Sequence, residues 1–308
     1  MSFSVEVKDE LTRIDNTNLE TIALLSSYIR QNAYIDENII KIHTENSSVC
    51  RLLFKLIKSL YGITSKITIR KNFNFKKTYL YIMEIKEKKD YILKDLSLIN
   101  EEGYFINIPR EYIIDDDELK KAYLRGTFLA SGSINNPKTS RYHLEFLIDD
   151  LDYALFINDI LNEYELNSRL INRKIGYMIY IKEAEKISDF LKLIKASSAV
   201  LYFENIRIYR DQKNNINRLN NCEQANVEKT INTANKQIED IELISKKIGL
   251  EMIDYKLRDI ANFRLKYRES SLLELSNIIS RETGIKMTKS CLNHRFRKIK
   301  DITKTLDK

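Results

Sequence analysis

The stretch Leu24–Ile35 reads LLSSYIRQNAYI and aligns without gaps with Tyr123–Ile134, YLRGTFLASGSI, 99 residues further along the chain. Few residues are identical, but both stretches are apolar helical patterns that end in small residues and an isoleucine. In each, small residues stand four apart, so they share one face of the helix and allow another helix to approach closely. These small residues are Ala23 and Ser27 in the first stretch and Ala122 and Gly126 in the second. The chain therefore carries two related helices suited to close packing.

The patterns that follow the two helices also repeat in the same order. Alternating apolar residues predict strands, and apolar residues three or four apart predict helices. In the first repeat these are strands at 41–44, 65–71 and 79–85 and helices at 49–60 and 88–97. In the second they are strands at 143–146, 168–174 and 177–181 and helices at 153–161 and 184–195. The predicted fold class is α+β, with two αββαββα repeats, about 1–100 and 118–196, forming a body over residues 1–196.

This duplicated body resembles a two-repeat LAGLIDADG homing-endonuclease fold, in which the motif helices pack centrally and two four-stranded sheets form a saddle over DNA. In that family the last-but-one motif residue is a carboxylate of the metal-binding cleavage centre. Asn32 and Ser131 stand at those positions here, and neutral side chains cannot offset the charge of a divalent cation. Asp36 and Glu37 stand near the first position, but the matching residues 135–136 are both asparagine. The expectation is a retained fold without catalytic residues and without nuclease activity.

Two alternatives for the body stay open at this stage. It could be an endonuclease with unorthodox metal ligands, or a duplicated α/β body without any role in DNA binding. Basic side chains on the two predicted sheets could follow DNA phosphates, or they could form an ordinary solvated face. These side chains are Lys66, Arg70, Lys71, Lys76 and Lys77 on the first sheet and Arg169, Arg173 and Lys174 on the second.

Net charge separates the body from the end of the chain. Residues 251–308 carry 14 Lys and Arg against 8 Asp and Glu, a net charge of +6 out of +7 for all 308 residues. Basic charge concentrated in one segment favours a polyanionic partner, because binding to phosphates releases counterions. The chain shows neither a signal-peptide pattern nor an apolar run long enough to span a membrane, so we expect a cytoplasmic protein. Its three cysteines and three histidines lie far apart in sequence, so we expect no metal site.

The predicted C-terminal domain covers residues 222–308 and follows a connector. Residues 197–221 are polar and rich in asparagine, which favours a hinge. Apolar residues at helical spacing over 223–248 predict an amphipathic helix that ends at Gly249. A further helix is predicted around 257–265.

A helix-turn-helix is predicted within residues 271–304. Ser271 and Glu274 fit a capping box, Gly284 marks the turn, and the last helix covers about 289–299. On that helix Leu292, Phe296 and Ile299 share an apolar face, while polar and basic residues occupy the opposite side. Arg, Asn, Ser and Lys suit base edges and phosphates in the major groove. The predicted DNA-binding residues are Lys289, Ser290, Asn293, His294, Arg295, Arg297 and Lys298; the alternative is the solvated face of an ordinary helical bundle.

Taken together, the chain resembles the WhiA family of bacterial regulators over essentially its full length. The resemblance is carried by several motifs: KDEL at 8–11, YLRG at 123–126, SINNP at 133–137, YHLE at 142–145, YIKEAEKISDF at 180–190, NRLNNCEQAN at 217–226 and NHRFRKI at 293–299. One departure is Ala33, where family members commonly carry glycine.

The resemblance implies a cytoplasmic, nucleoid-associated transcription factor that binds double-stranded DNA and uses no cofactor. It implies a role in cell division and chromosome segregation, with sporulation in some relatives. It leaves open whether the protein is a monomer or a dimer. It also leaves open whether the protein serves instead as a nucleoid-anchored adaptor that binds transcription or division proteins. No membrane partner is expected.

Overall fold

Residues 2–72, 78–139 and 141–306 are described by the computed structural model. The chain divides into two units, Met1–Arg210 and Asp211–Lys308. Each unit has its own buried core of apolar side chains. The two are therefore described separately.

The first unit is organised around two helices of equal length, α2 (Asn18–Asn32) and α5 (Asp117–Ser131). Thr17 caps α2 in a capping box: its hydroxyl accepts from the Glu20 amide at 3.2 Å, and the Glu20 carboxylate accepts from the Thr17 amide at 2.8 Å. Such reciprocal caps satisfy amide groups that have no partner inside the helix. Both helices correspond to the duplicated stretches, and both end where the next strand begins.

Each of these helices is followed by a four-stranded antiparallel sheet and two further helices. The first repeat contains β1 (Ala33–Asp36), β2 (Ile39–Thr44), α3 (Ser47–Tyr61), β3 (Lys66–Asn72), β4 (Thr78–Ile85) and α4 (Lys89–Asp95). The second contains β5 (Gly132–Ile134), β6 (Leu144–Ile148), α6 (Leu151–Glu163), β7 (Arg169–Asn172), β8 (Tyr177–Ile181) and α7 (Ala184–Leu193). The strand orders β1-β2-β4-β3 and β5-β6-β8-β7 are the same. The prediction of two αββαββα repeats in an α+β fold is confirmed.

The two faces of the first sheet differ because side chains alternate along a strand. Ile40, Ile42 and Met83 are buried and belong to the core. On the other face Lys41 and Lys66 both stand opposite Glu84 in the strand register. The helices therefore cover one face, and the other carries these charged side chains together with the buried Ile39 and Ile82.

The structure also contains a helix for which the sequence analysis made no prediction, α1 (Phe3–Leu11). Phe3, Val7 and Leu11 stand four residues apart and are all buried, so they form one stripe that packs on the core. Ser2 caps this helix through the Val5 amide. Helix α1 therefore contributes to the same buried core as the two repeats.

The interpretation of residues 197–221 as a hinge is wrong, because they lie within a long helix, α8 (Ser197–Lys247). Its 51 residues contain neither glycine nor proline, so no residue interrupts the backbone hydrogen bonds. The asparagines that favoured a loop are exposed on this helix. The helix predicted over 223–248 is the second half of α8.

The second unit is completed by three short helices, α9 (Tyr255–Lys266), α10 (Leu272–Thr283) and α11 (Lys289–Leu306). Ser271 and Glu274 form the predicted capping box at the start of α10. Gly284 ends this helix in the left-handed conformation, with φ of 68°, which glycine adopts without steric cost. The helical C-terminal domain with a helix-turn-helix is thereby confirmed.

Candidate nucleic-acid interface

Helix α11 is fixed on the second unit by one apolar stripe. Leu292, Phe296 and Ile299 are buried together with Leu275 and Ile279 of α10. Their spacing of three and four residues leaves the opposite side of α11 facing solvent. The apolar face expected from the sequence is confirmed.

A buried arginine holds the loop in front of α10 against α11. The Arg264 guanidinium donates to the carbonyl of Ser270 at 2.6 Å and to that of Tyr267 at 3.4 Å. It also lies 5.4 Å from the centre of the Phe296 ring, at the distance of a cation–π contact. Burial lowers the pKa of Arg264. In the sequence, Arg264 stands four residues after Ile260, on the apolar side of its helix. This position is the sequence signal that could have indicated a buried arginine.

The turn between α10 and α11 is held by Ser280. Its hydroxyl donates to the carbonyl of Ser276 at 2.7 Å and accepts from the amide of Met287 at 2.8 Å. Thr288 then caps α11, because its hydroxyl accepts from the Cys291 amide at 3.2 Å. These bonds fix where α11 begins relative to α10.

The outer face of α11 is defined here as the seven side chains that the sequence predicts to bind DNA. Six of them are exposed and Arg295 is half-buried: Lys289, Ser290, Asn293, His294, Arg297 and Lys298 form the exposed set. Among the residues that the structure describes, none of these seven side chains forms a hydrogen bond or an ion pair. Their donors are therefore available to a ligand. Contact with DNA stays a prediction.

In the first unit, helices α2 and α5 approach very closely. A Cβ atom on Gly126 would lie 2.3 Å from the backbone oxygen of Leu24, so only glycine fits there. The buried hydroxyls of Ser27 and Thr127 lie 2.7 Å apart across the same contact. The small residues that marked the repeat are thus the residues that bring the two helices together.

The two motif positions at the ends of these helices are used internally. The Asn32 amide donates to the carbonyl of Ala130 at 3.2 Å and to the Tyr28 hydroxyl at 3.4 Å. The Ser131 hydroxyl donates to the Gln31 side chain. These hydrogen bonds connect the ends of the two helices. Both side chains are neutral, so neither provides the anionic oxygen that a divalent metal ion requires.

The nearby acids are placed elsewhere. Asp36 ends β1, and its carboxylate accepts from the Glu37 amide at 2.7 Å. Across residues 2–72, 78–139 and 141–306, no group of three or more His, Cys, Asp or Glu side chains could hold a metal ion.

The basic residues of the two sheets fall into different settings. Lys66, Arg70 and Arg169 are exposed. Lys66 and Arg70 share the face of the first sheet that carries Glu84. Lys71, one residue further, belongs to the opposite face. Arg173 contacts the Met178 sulfur and lies 3.9 Å from Glu145, and Lys174 is exposed in the following turn. Lys76 and Lys77 lie outside the described residues. A role for this set in following phosphates stays a prediction.

Among the described residues, no helix is both long enough and apolar enough to cross a membrane.

Family models match three consecutive parts of the chain. The WhiA N-terminal LAGLIDADG-like domain matches residues 20–99, the WhiA LAGLIDADG-like domain matches 120–213, and the WhiA C-terminal HTH domain matches 216–303. The order of these matches is the order of the two repeats and the helix-turn-helix.

Relatives match over nearly the whole chain. A "Probable cell division protein WhiA" of Staphylococcus aureus strain JH9 is 44% identical over 306 residues, covering 98% of this chain and 96% of the relative. The protein of the same name from strain Newman matches equally well.

Among solved structures, the "full-length DUF199/WhiA from Thermatoga maritima" is 25% identical, with a TM-score of 0.59 and coverage of 99% of both chains. A structure of "the N-terminal LAGLIDADG domain of DUF199/WhiA" is 24% identical with a TM-score of 0.50, and it covers 63% of this chain and 90% of that one. The second likeness concerns the fold of the duplicated body.

Proposed function

The chain belongs to the WhiA family, and from this premise we propose that it is a transcriptional regulator that binds duplex DNA through α11 and does not cut it. The observation that carries this proposal is the outer face of α11. It is basic, exposed except for the half-buried Arg295, and without partners among the described residues, and a buried apolar stripe fixes its orientation. A helix of this kind enters the major groove, where arginine and asparagine can read base edges.

The biological process is proposed from the relatives. Those that match over nearly the full chain are named probable cell division proteins. We therefore assign this chain to the regulation of cell division and chromosome segregation, in the cytoplasm and on the nucleoid.

The absence of nuclease activity is proposed from the ends of α2 and α5. A metal-dependent nuclease needs anionic ligands, whereas Asn32 and Ser131 are neutral and bonded across the helix contact. Incubation of the full chain with supercoiled plasmid and Mg²⁺ tests this. Intact plasmid is expected, and reproducible sequence-specific nicking would establish the alternative of an endonuclease with unorthodox ligands.

DNA binding is tested with two variants of the full chain that are matched in helix and exposure. Replacement of Asn293, Arg297 and Lys298 by alanine should abolish sequence-specific retardation in a gel-shift assay. Replacement of Lys300 and Lys304 by alanine removes two charges from the same helix outside the predicted set, and it should weaken binding without loss of specificity. Equal behaviour of the two variants would contradict reading by the outer face.

The target sites are identified by chromatin immunoprecipitation combined with transcript profiling. A regulator should occupy sites next to genes whose transcripts change when the protein is depleted. Occupancy without any change in transcripts would instead indicate an adaptor anchored on the nucleoid.

A further inference from the structure

An open cavity of about 690 Å³ lies at the ends of α2 and α5, within the first unit. Helix α1, the segment that joins β2 to α3, and the start of β5 form its other walls. The residues that matter for its chemistry are Ser4, Lys8, Asp9, Asn32, His43, Glu45, Asn46, Ser47 and Ser133.

The cation of this cavity is Lys8. Its ammonium donates to the carbonyl of Leu129, near the end of α5, at 3.1 Å, and lies 5.7 Å from the centre of the Phe128 ring. An ammonium has three protons to donate. In the part of the chain that the structure describes, it forms no other hydrogen bond and no ion pair with a carboxylate. Two of its three donors therefore have no partner among the described residues.

The position of the Lys8 ammonium is energetically unfavourable for a residue that only stabilises the fold. Burial lowers the pKa of the Lys8 ammonium to about 8, and burial is the only cause of the shift. Buried cations in proteins are normally paired with an anion. The half-buried Lys8 cation lies in the wall of an open cavity without such a partner among the described residues, which favours an anion supplied by a ligand.

The two acids of the cavity do not compensate Lys8. The Asp9 carboxylate accepts from the Asn46 amide at 2.9 Å, and neither Asp9 nor Glu45 contributes to the pKa of Lys8. By contrast, Ser4 and Ser47 line the cavity, and among the described residues their hydroxyls take part in no hydrogen bond.

We propose that this cavity binds a phosphate group, with the Lys8 ammonium as its cationic anchor and the hydroxyls of Ser4 and Ser47 as further donors. Several separate donors around one cation suit the three or four oxygens of a phosphate better than the two of a carboxylate. The phosphate belongs either to the DNA backbone or to a free phosphate compound. Only the first of these sources depends on the proposed function.

The experiment compares variants of the full chain, with inorganic phosphate as the first probe. Phosphate at constant ionic strength should raise the melting temperature of the wild type, because a ligand that binds only the folded state stabilises it. Lys8→Met should weaken phosphate binding about tenfold or more, and Lys8→Arg should retain it. Lys58→Met is the control, since it removes an exposed lysine of α3 away from the cavity. Acetate should have no effect on any of them.

A second pair of variants covers the case in which Lys8→Met does not fold. Ser133 is exposed at the edge of the cavity, so Ser133→Glu and Ser133→Gln should both fold. The added carboxylate of Ser133→Glu should abolish the phosphate effect by repulsion, while the neutral Ser133→Gln should keep it. A phosphate effect that is equal in wild type, Lys8→Met and Ser133→Glu would overturn the proposal.

Measurements of binding to duplex DNA distinguish the two sources of phosphate. If the cavity holds a backbone phosphate, Lys8→Met should reduce the salt dependence of binding to duplex DNA by about one unit of slope, and DNA should compete with inorganic phosphate. If it holds a free phosphate compound, DNA binding should be unchanged while the phosphate effect is lost. Failure of DNA binding through α11 would leave the phosphate arm intact, so the two proposals fail separately.

Binding should also depend on pH through Lys8. Between pH 7 and pH 9 the phosphate affinity of the wild type should fall relative to that of Lys8→Arg, because the ammonium with a pKa of about 8 loses its charge while the guanidinium keeps it. Asp9, His43 and Glu45 also face the cavity, but these groups and the ionisation of phosphate itself are common to both proteins. A ratio of the two affinities that changes with pH would therefore assign the dependence to Lys8, and a constant ratio would contradict this role.

Discussion

Two helical regions of this protein carry asparagine and serine side chains, and they use them in opposite ways. At the ends of α2 and α5, Asn32 and Ser131 form hydrogen bonds to the neighbouring helix. On the outer face of α11, Asn293 and Ser290 are exposed. The same residue types therefore hold a helix pair together in one place and remain available in the other. The difference lies in what each helix packs against, not in the residue type.

This comparison separates polar side chains that stabilise the fold from polar side chains that are available to bind a ligand. A bond between buried side chains contributes roughly 0.5–1.5 kcal/mol to folding, and removal of one partner costs more. An exposed side chain without partners contributes little to folding and retains its donors for a ligand. Substitutions in the body should consequently change stability, and substitutions on the outer face of α11 should change binding.

The largest effect is expected at the closest helix contact. Gly126→Val places new atoms against the backbone of Leu24, and backbone cannot yield as a side chain can. We expect a loss of about 3 kcal/mol or more in the free energy of unfolding, measured by denaturant titration. Ser290→Val on the exposed side of α11 is the control and should change it by less than about 1 kcal/mol. A mild effect of Gly126→Val would show that α2 and α5 can separate without cost.

The next effect is expected in DNA binding by α11. Arg297→Ala should cost about 1–3 kcal/mol and relax the preference at one base pair if Arg297 reads a base. If Arg297 contacts only phosphate, the loss should be uniform across DNA sequences and the salt dependence should fall. Fluorescence anisotropy with a set of single-base operator variants distinguishes these results. Stability should be unchanged in both cases.

The same chemical change at the two asparagines tests the comparison directly. Asn32→Ala removes the donor to the Ala130 carbonyl, so the free energy of unfolding should fall by about 1–2 kcal/mol at neutral pH. Asn293→Ala lies on the exposed face of α11 and should leave stability within about 0.5 kcal/mol, while it weakens DNA binding by removing a donor to a base edge. Equal loss of stability in both variants would contradict the distinction.

The smallest effect concerns Lys8 and has an unusual sign. Its folded pKa of about 8 lies below the ordinary lysine value of 10.5, so between these pH values the unfolded chain binds more protons and stability rises with pH. Below pH 8 the folded protein carries the full cost of the buried charge. Lys8→Met should therefore raise the free energy of unfolding at pH 7 by about 1 kcal/mol, a figure reduced for partial solvent screening.

That gain should decrease as the pH approaches 10.5, and chemical denaturation at several pH values measures it. Lys58→Met should show no such dependence. A Lys8→Met variant that is less stable than the wild type at pH 7 would indicate a structural lysine instead of a ligand-binding one.

Much of the fold followed from local patterns. The strand predicted at 177–181 is β8, and the capping box predicted at Ser271 is formed. Both depend on residues close in sequence, where periodicity and capping chemistry are decisive. Helix α1 precedes the repeated pattern and was not predicted. The continuity of α8 was not predicted either, because its asparagines favour a turn by local propensity, although residues 197–247 contain no glycine or proline to interrupt a helix.

The same dependence on residues close in sequence explains why one candidate site could be predicted and the other could not. The exposed side of α11 could be placed from the position of each residue around one helix, because Leu292 and Phe296 define its inner side. The Lys8 cavity could not, since Lys8 meets Leu129 across 121 residues of sequence. No pattern within a short segment relates two such residues.

By itself, the sequence determined the duplication, the order of the elements, the location of basic charge and the neutral residues Asn32 and Ser131 at the ends of the repeated helices. These properties are set by residue identity and short-range periodicity. Only the tertiary structure decided that Asn32 and Ser131 bind the neighbouring helix, that Arg264 contacts the ring of Phe296, and that Lys8 stands in a cavity without a carboxylate partner among the described residues. Whether a polar side chain is committed or available depends on what packs beside it, and in this protein those neighbours come from distant parts of the chain.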